Sequence, residues 1–315
     1  MSTEAKENKL AKLPVVKQLI LLTQRIKLPW LHGLSLYDLL DLYFIGVIEG
    51  AISYRASAIA WSFFMALFPF MLFILNLIPY IPIDGFQDDF MGFVQQSVPP
   101  TTYDAIYKII NDILHNSHSG LLSTGFLMAI LLMTNGVNAI LGGFESGHHV
   151  HITLKRKFFR QYFVALALSI LLSLVLIVTV AVIVIFEVLI QKTKIQDVLS
   201  DNIPLIEMGR YIFVILMILM ATSLLFKFGI KREKKRKLIS IGSVFTTILI
   251  IISSYFFGIW VVKFSKYNEL YGSIGTLLVV MFYIWINCMI LLLGFDLNAS
   301  IHHIKREKQK ELESQ

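Results

Sequence analysis

Residues 54–80, YRASAIAWSFFMALFPFMLFILNLIPY, form an apolar run in which Arg55 is the only charge. A helix of about 20 residues crosses a hydrocarbon layer of roughly 30 Å, so this run is long enough to do so. Lipid is therefore the solvent for which the chain is built, and the rest of the composition agrees. Apolar residues make up 56% and charged residues 16%, with a mean hydropathy of +0.71, whereas soluble domains carry about a quarter charged residues.

Taken in order, residues 1–14 read as a flexible basic tail with Lys6, Lys9 and Lys12. Residues 15–55 read as interfacial helices. Val16, Leu19, Ile20 and Thr23 share one face of the first, while Ser35 and Asp38 have capping-box spacing at the start of the second. Asp38, Asp41 and Glu49 hold that second helix on the membrane surface. Residues 56–300 form the membrane domain, with spans at about 56–78, 121–143, 162–190, 211–228, 238–262 and 274–300. Between the first two spans, residues 80–120 are rich in Asp, and Ile106, Ile109, Ile110 and Ile113 recur at helical spacing, which makes a small extracytoplasmic helical cap. Residues 301–315 are a charged tail. The fold class is all-α: a polytopic membrane protein with six transmembrane helices.

Six spans put both termini on one side, and the basic residues say which. Of 28 Lys and Arg, 22 fall on the side of the termini, leaving Lys108, Lys192, Lys194, Arg210, Lys263 and Lys266 on the other. The positive-inside rule makes the termini cytoplasmic. The cluster at residues 231–237 reads as a topology signal and a contact for anionic membrane lipids, not as a nucleic-acid site. The lone cysteine, Cys288, excludes an intrachain disulfide. His148, His149, His151, His302 and His303 match no strong metal motif and read as hydrated juxtamembrane groups, so no metal and no cofactor is expected.

Polar side chains inside hydrocarbon are costly, and three spans carry them in stripes. On the first, Arg55, Ala58, Ser62, Ala66, Pro69, Phe73, Asn76 and Tyr80 advance by threes and fours; Pro69 also removes a backbone donor. On the second, Asn135, Asn138, Gly142, Glu145 and His149 do so, and on the sixth Thr276, Tyr283, Asn287, Gly294 and Asn298. Such stripes either let helices approach and hydrogen-bond or line a hydrated path. They can face one another within one protomer or form contacts in a homo-oligomer. Arg55, Glu145 and Asp296 lie near one depth, so Arg55 is expected to pair with Asp296 or Glu145 and latch the inner mouth.

Three segments carry a family resemblance: RASAIAW at 55–61 running into Phe68-Pro69, Asn138-Ala139-Ile140 through Gly147 to Lys155-Arg156-Lys157, and YGSIGT at 271–276 followed by GFDLN at 294–298. Together they resemble the YihY or BrkB-like inner-membrane proteins, once widely labelled ribonuclease BN. The chain differs in having Asp296 where the family commonly has Glu, and Phe295 where it commonly has Ala. The resemblance implies a six-span inner-membrane protein and, for some relatives, movement of lipid or lipopolysaccharide precursors.

The reading that follows is transport or flipping of a lipid-like or other amphipathic anionic substrate along the polar stripes, without catalysis. The path candidates are Arg55, Ser62, Pro69, Asn76, Asn135, Asn138, Glu145, Tyr283, Asn287, Asp296 and Asn298. The alternative is a non-catalytic scaffold for envelope machinery. A tRNA-processing nuclease is disfavoured, because no paired-metal His and Asp motif occurs and the loops leave no room for a nuclease domain.

Overall fold

The structure is a computed structural model that describes residues 35, 37, 51–77, 87–88, 91–92, 95, 107, 110–111, 119–147, 156–192, 203–229, 238–264 and 268–313. Six long helices run through them: α1 Ile52–Leu77, α2 Ser119–Glu145, α3 Phe158–Lys192, α4 Ile203–Gly229, α5 Ile241–Phe264 and α6 Asn268–Glu313. Five contain stretches long and apolar enough to cross a membrane: Thr124–Glu145, Phe158–Ile183, Met208–Gly229, Ile241–Val261 and Leu277–His303. α1 is not among them, since Arg55 and three serines dilute its described part, but at 26 residues it is about 39 Å long. The tail, the surface helices before residue 51 apart from two positions, most of the cap and the basic cluster at 231–237 lie outside the described residues.

α1 starts where the backbone breaks. Ala51 follows Gly50 and has φ 46°, a left-handed conformation uncommon for a residue with a Cβ. Its carbonyl then accepts from the Tyr54 and Arg55 amides at 3.1 and 3.3 Å, opening the helix. α1 stays helical on both sides of Pro69. α6 runs 46 residues, well past its apolar stretch, because the Lys, Glu, Arg and Gln that follow are good helix formers.

Each helix packs on its neighbours in chain order, α1 on α2, α2 on α3, α3 on α4, α4 on α5 and α5 on α6, and α6 returns to α1. The result is a ring of six helices alternating in direction. α2 also touches α4 and α6 across the ring, more sparsely. Small residues set the close approaches. At the α1–α2 seam, Gly143 faces Ile59 and Gly136 faces Phe63. At the α5–α6 seam, a Cβ on Gly294 would run into Thr246 Oγ1, and one on Gly242 would run into the Gly294 carbonyl. Hydroxyls bridge other seams: Thr134 to Ser169 at 3.1 Å between α2 and α3, Thr222 to Thr247 at 3.4 Å between α4 and α5, and Ser57 to Trp285 at 3.1 Å between α1 and α6.

Candidate functional site

Among the described residues, α4, α5 and α6 are buried at one end of the ring only, whereas α1, α2 and α3 keep buried positions further along, at Ala66, Ala129 and Val175. At the end where α1 begins and α2 finishes, Phe144, Phe226 and Phe295 from α2, α4 and α6 meet on the axis. Phe144 and Phe295 stack at 3.9 Å and 8°, and Phe226 sits edge-on to both at 5.7 Å. Their exposures are 0%, 1% and 1%. Eighteen residues is five helical turns, so Phe126, Met208 and Leu277 lie on the same faces of the same three helices, about 27 Å further along. There the exposures are 46%, 52% and 43%. Among the described residues, none on α4 before Thr222, on α5 after Thr247 or on α6 before Cys288 is buried. The shared faces of α2, α4 and α6 are thus closed by three rings at one end and open, with apolar residues exposed, towards the other.

Two arginines fasten the plugged end, each by the same device. A helix finishes with carbonyls that lack intrahelical partners, and a cation beside them is favourable. Arg55 Nη1 donates to the Gly143 carbonyl at 2.8 Å in the last turn of α2, and Nη2 donates to Asp296 Oδ2 of α6 at 2.8 Å. The two side chains are 9% and 4% exposed. Arg156, just before α3, donates to the Phe228 and Gly229 carbonyls that end α4, at 2.7 and 3.1 Å. Its amide donates to Glu145 Oε1 at 3.2 Å. Burial lowers the Arg156 pKa, with the Glu145 carboxylate opposing and Arg160 adding to the fall. Through these contacts the start of α1, the ends of α2 and α4, α6 at Asp296 and the residue before α3 are tied into one layer beside the phenyl rings.

The polar stripes fall elsewhere. Phe144 points inward, and Asn135 is nine residues from it, half a turn around α2, so Asn135 points away from the ring and is exposed. Gly142 faces open space. On α1, Ser62 and Pro69 lie opposite the buried Ala60, and the Ser62 hydroxyl bonds back to the Ala58 carbonyl at 3.0 Å. The α6 stripe faces α5: the Tyr283 hydroxyl meets Ser254 at 2.7 Å, Asn287 donates to the Tyr283 carbonyl at 2.8 Å, and Gly294 and Asn298 pack on Gly242. Of the candidates read from sequence, the structure joins Arg55 to Asp296, holds Glu145 through the Arg156 amide, and puts Ser62, Pro69, Asn135, Asn138, Tyr283, Asn287 and Asn298 in the wall or on its outer surface. The side chain of Asn76 and residues 148–151 lie outside the description. Among the described residues no group of three or more His, Cys, Asp or Glu could hold a metal ion.

Sequence reasoning counted Arg156 as a topology charge and as part of a resemblance segment but gave it no contact, and it did not bring Phe144, Phe226 and Phe295 together. The signal for Arg156 was present: it directly precedes a span, at the depth where Gly229 ends another.

The family model described as Virulence factor BrkB matches residues 46–315. The chain belongs to that family. A ribonuclease-like protein, YfkH, of Bacillus subtilis (strain 168) is 28% identical over 261 residues, covering 81% of this chain and 90% of its own. A UPF0761 membrane protein of Coxiella burnetii (strain RSA 493 / Nine Mile phase I) is 24% identical over 251 residues, covering 78% and 86%. Another UPF0761 membrane protein, from Kangiella koreensis, is 23% identical over 262 residues, covering 82% of this chain and 62% of its own. No solved structure matches. This member of the BrkB family is therefore a membrane protein, and the matched region takes in the whole ring together with both arginine clasps.

Proposed function

We propose that the chain is a multi-pass protein of the bacterial inner membrane, both termini cytoplasmic, that moves a lipid-like, anionic amphipathic substrate by way of the ring interior. The observation that carries this reading is the change from 0–1% to 43–52% exposure along single faces of α2, α4 and α6. An apolar chamber closed at one end and wide at the other suits the acyl part of a substrate. The clasped end is the one flanked by most of the basic residues, so it is assigned to the cytoplasm, and the chamber opens outward. No nucleotide-binding motif supplies energy, which leaves an ion gradient or the substrate's own. Redistribution of fluorescent lipids in liposomes reconstituted with the purified chain tests this. Protein-dependent movement that falls at least several-fold in Leu277→Trp supports the chamber as the route. No movement of any anionic or zwitterionic lipid under an imposed gradient contradicts it.

A scaffold is the second reading, and α6 favours it. That helix continues through Glu313, ten residues beyond its apolar stretch, as a charged rod about 15 Å long. Deleting residues 304–315 should then abolish the cellular phenotype while leaving lipid movement intact. A nuclease is not proposed: the ribonuclease wording belongs to the relative's name, and among the described residues no group of three or more His, Cys, Asp or Glu could hold a metal ion.

A further inference from the structure

Asn135 is the one exposed carboxamide among the described residues of the six helices. It lies ten residues from the end of α2, about 15 Å along and so near the middle of a 30 Å hydrocarbon layer. Neither it nor Asn138 makes a hydrogen bond with any described residue. Elsewhere at that depth the surface suits lipid: Ile170 and Leu174 on α3, Leu216 on α4, and Ile248 and Ile252 on α5 are exposed. An amide facing acyl chains has no partner there, and leaving it unpaired is unfavourable. We infer that the outer face of α2 is covered by α2 of a second copy of this chain, with Asn135 facing its counterpart across a two-fold axis along the membrane normal.

Three features select a second copy. A carboxamide both donates and accepts, so two of them in register satisfy each other, and a two-fold axis along the normal brings each residue opposite itself on parallel helices. Met128, Asn135 and Gly142 are seven residues apart on one face, the spacing of a two-stranded parallel seam in which a single Asn fixes register. Gly142 has nothing within 4 Å of where a Cβ would be, so a second backbone can come close. α2 also carries no charge before Glu145, so two copies do not repel along the contact.

This contact lies outside the chamber and does not depend on the transport reading. The test uses the full chain with Cys288→Ala, purified in nanodiscs, with stoichiometry measured by mass photometry and disulfide trapping of single cysteines. A dimer that is trapped through Met128→Cys but not through Leu174→Cys on α3, and that falls at least tenfold in population with Asn135→Leu, is expected. A monomeric parent, equal trapping at the two positions, or an undiminished dimer in Asn135→Leu overturns the proposal. Replacing an exposed amide by Leu suits lipid, so loss of the dimer does not reflect misfolding.

Discussion

Arg55 and Asp296, 241 residues apart, meet at 2.8 Å with the arginine also closing the last turn of α2 through Gly143. This contact joins three helices with one guanidinium. Arg55 Nε is buried without a hydrogen-bond partner, so the clasp holds one donor unsatisfied, a cost of about 1–3 kcal/mol.

Breaking the pair from one side strands a buried charge. Asp296→Asn and Arg55→Gln should each cost about 3–5 kcal/mol, whereas Arg55→Met with Asp296→Leu should cost less than either alone. Thermal unfolding in detergent, arranged as a double-mutant cycle, measures this. Additive costs would mean that the pair is not coupled.

Arg156 should matter through geometry as well as charge. Its planar fork reaches two carbonyls at once, which a lysine ammonium on a flexible stem does less well. Arg156→Lys is therefore expected to raise hydrogen exchange at 224–229 nearly as much as Arg156→Ala, leaving exchange at 242–247 unchanged. Full protection in the lysine variant would show that a point charge suffices.

Glycine substitutions separate seam from surface. Gly294→Ala pushes a methyl group into Thr246 and should cost about 1–3 kcal/mol of stability by overpacking. Gly258→Ala on the same ring meets nothing within 4 Å and should be neutral or slightly stabilising. Equal melting temperatures for the two variants would place the α5–α6 contact elsewhere.

The spans were legible because hydrophobic length is a local property. All six helices extend beyond the expected spans at one or both ends, most in α6, where charged helix formers carry the rod on to Glu313 after the apolar signal has stopped. Partners were not legible. The stripe of Tyr283, Asn287, Gly294 and Asn298 was visible on α6, but nothing in it says that Ser254 and Gly242 of α5 receive it. Arg55 had two acids at its depth, and sequence could not choose between them. The phenylalanine plug was hidden for another reason: Phe144, Phe226 and Phe295 sit among apolar neighbours on helices with weak amphipathicity, so no periodicity marks their faces as inward. Stripes on a transmembrane helix also invert the soluble intuition. On α2 Asn135 points out of the ring while Phe144 points in, and on α1 Ser62 and Pro69 lie opposite the buried Ala60.

The most direct test of the chamber is cysteine accessibility along one helix, in the Cys288→Ala background. Leu277→Cys and Phe295→Cys share a face of α6 five turns apart, and Leu174→Cys on the lipid-facing side of α3 is the control. With a membrane-impermeant thiol reagent added from outside, Leu277→Cys should react at least tenfold faster than either of the others. Protection of Leu277→Cys to the level of Phe295→Cys would mean that the ring is closed along its length, and the account of a one-ended chamber would fail.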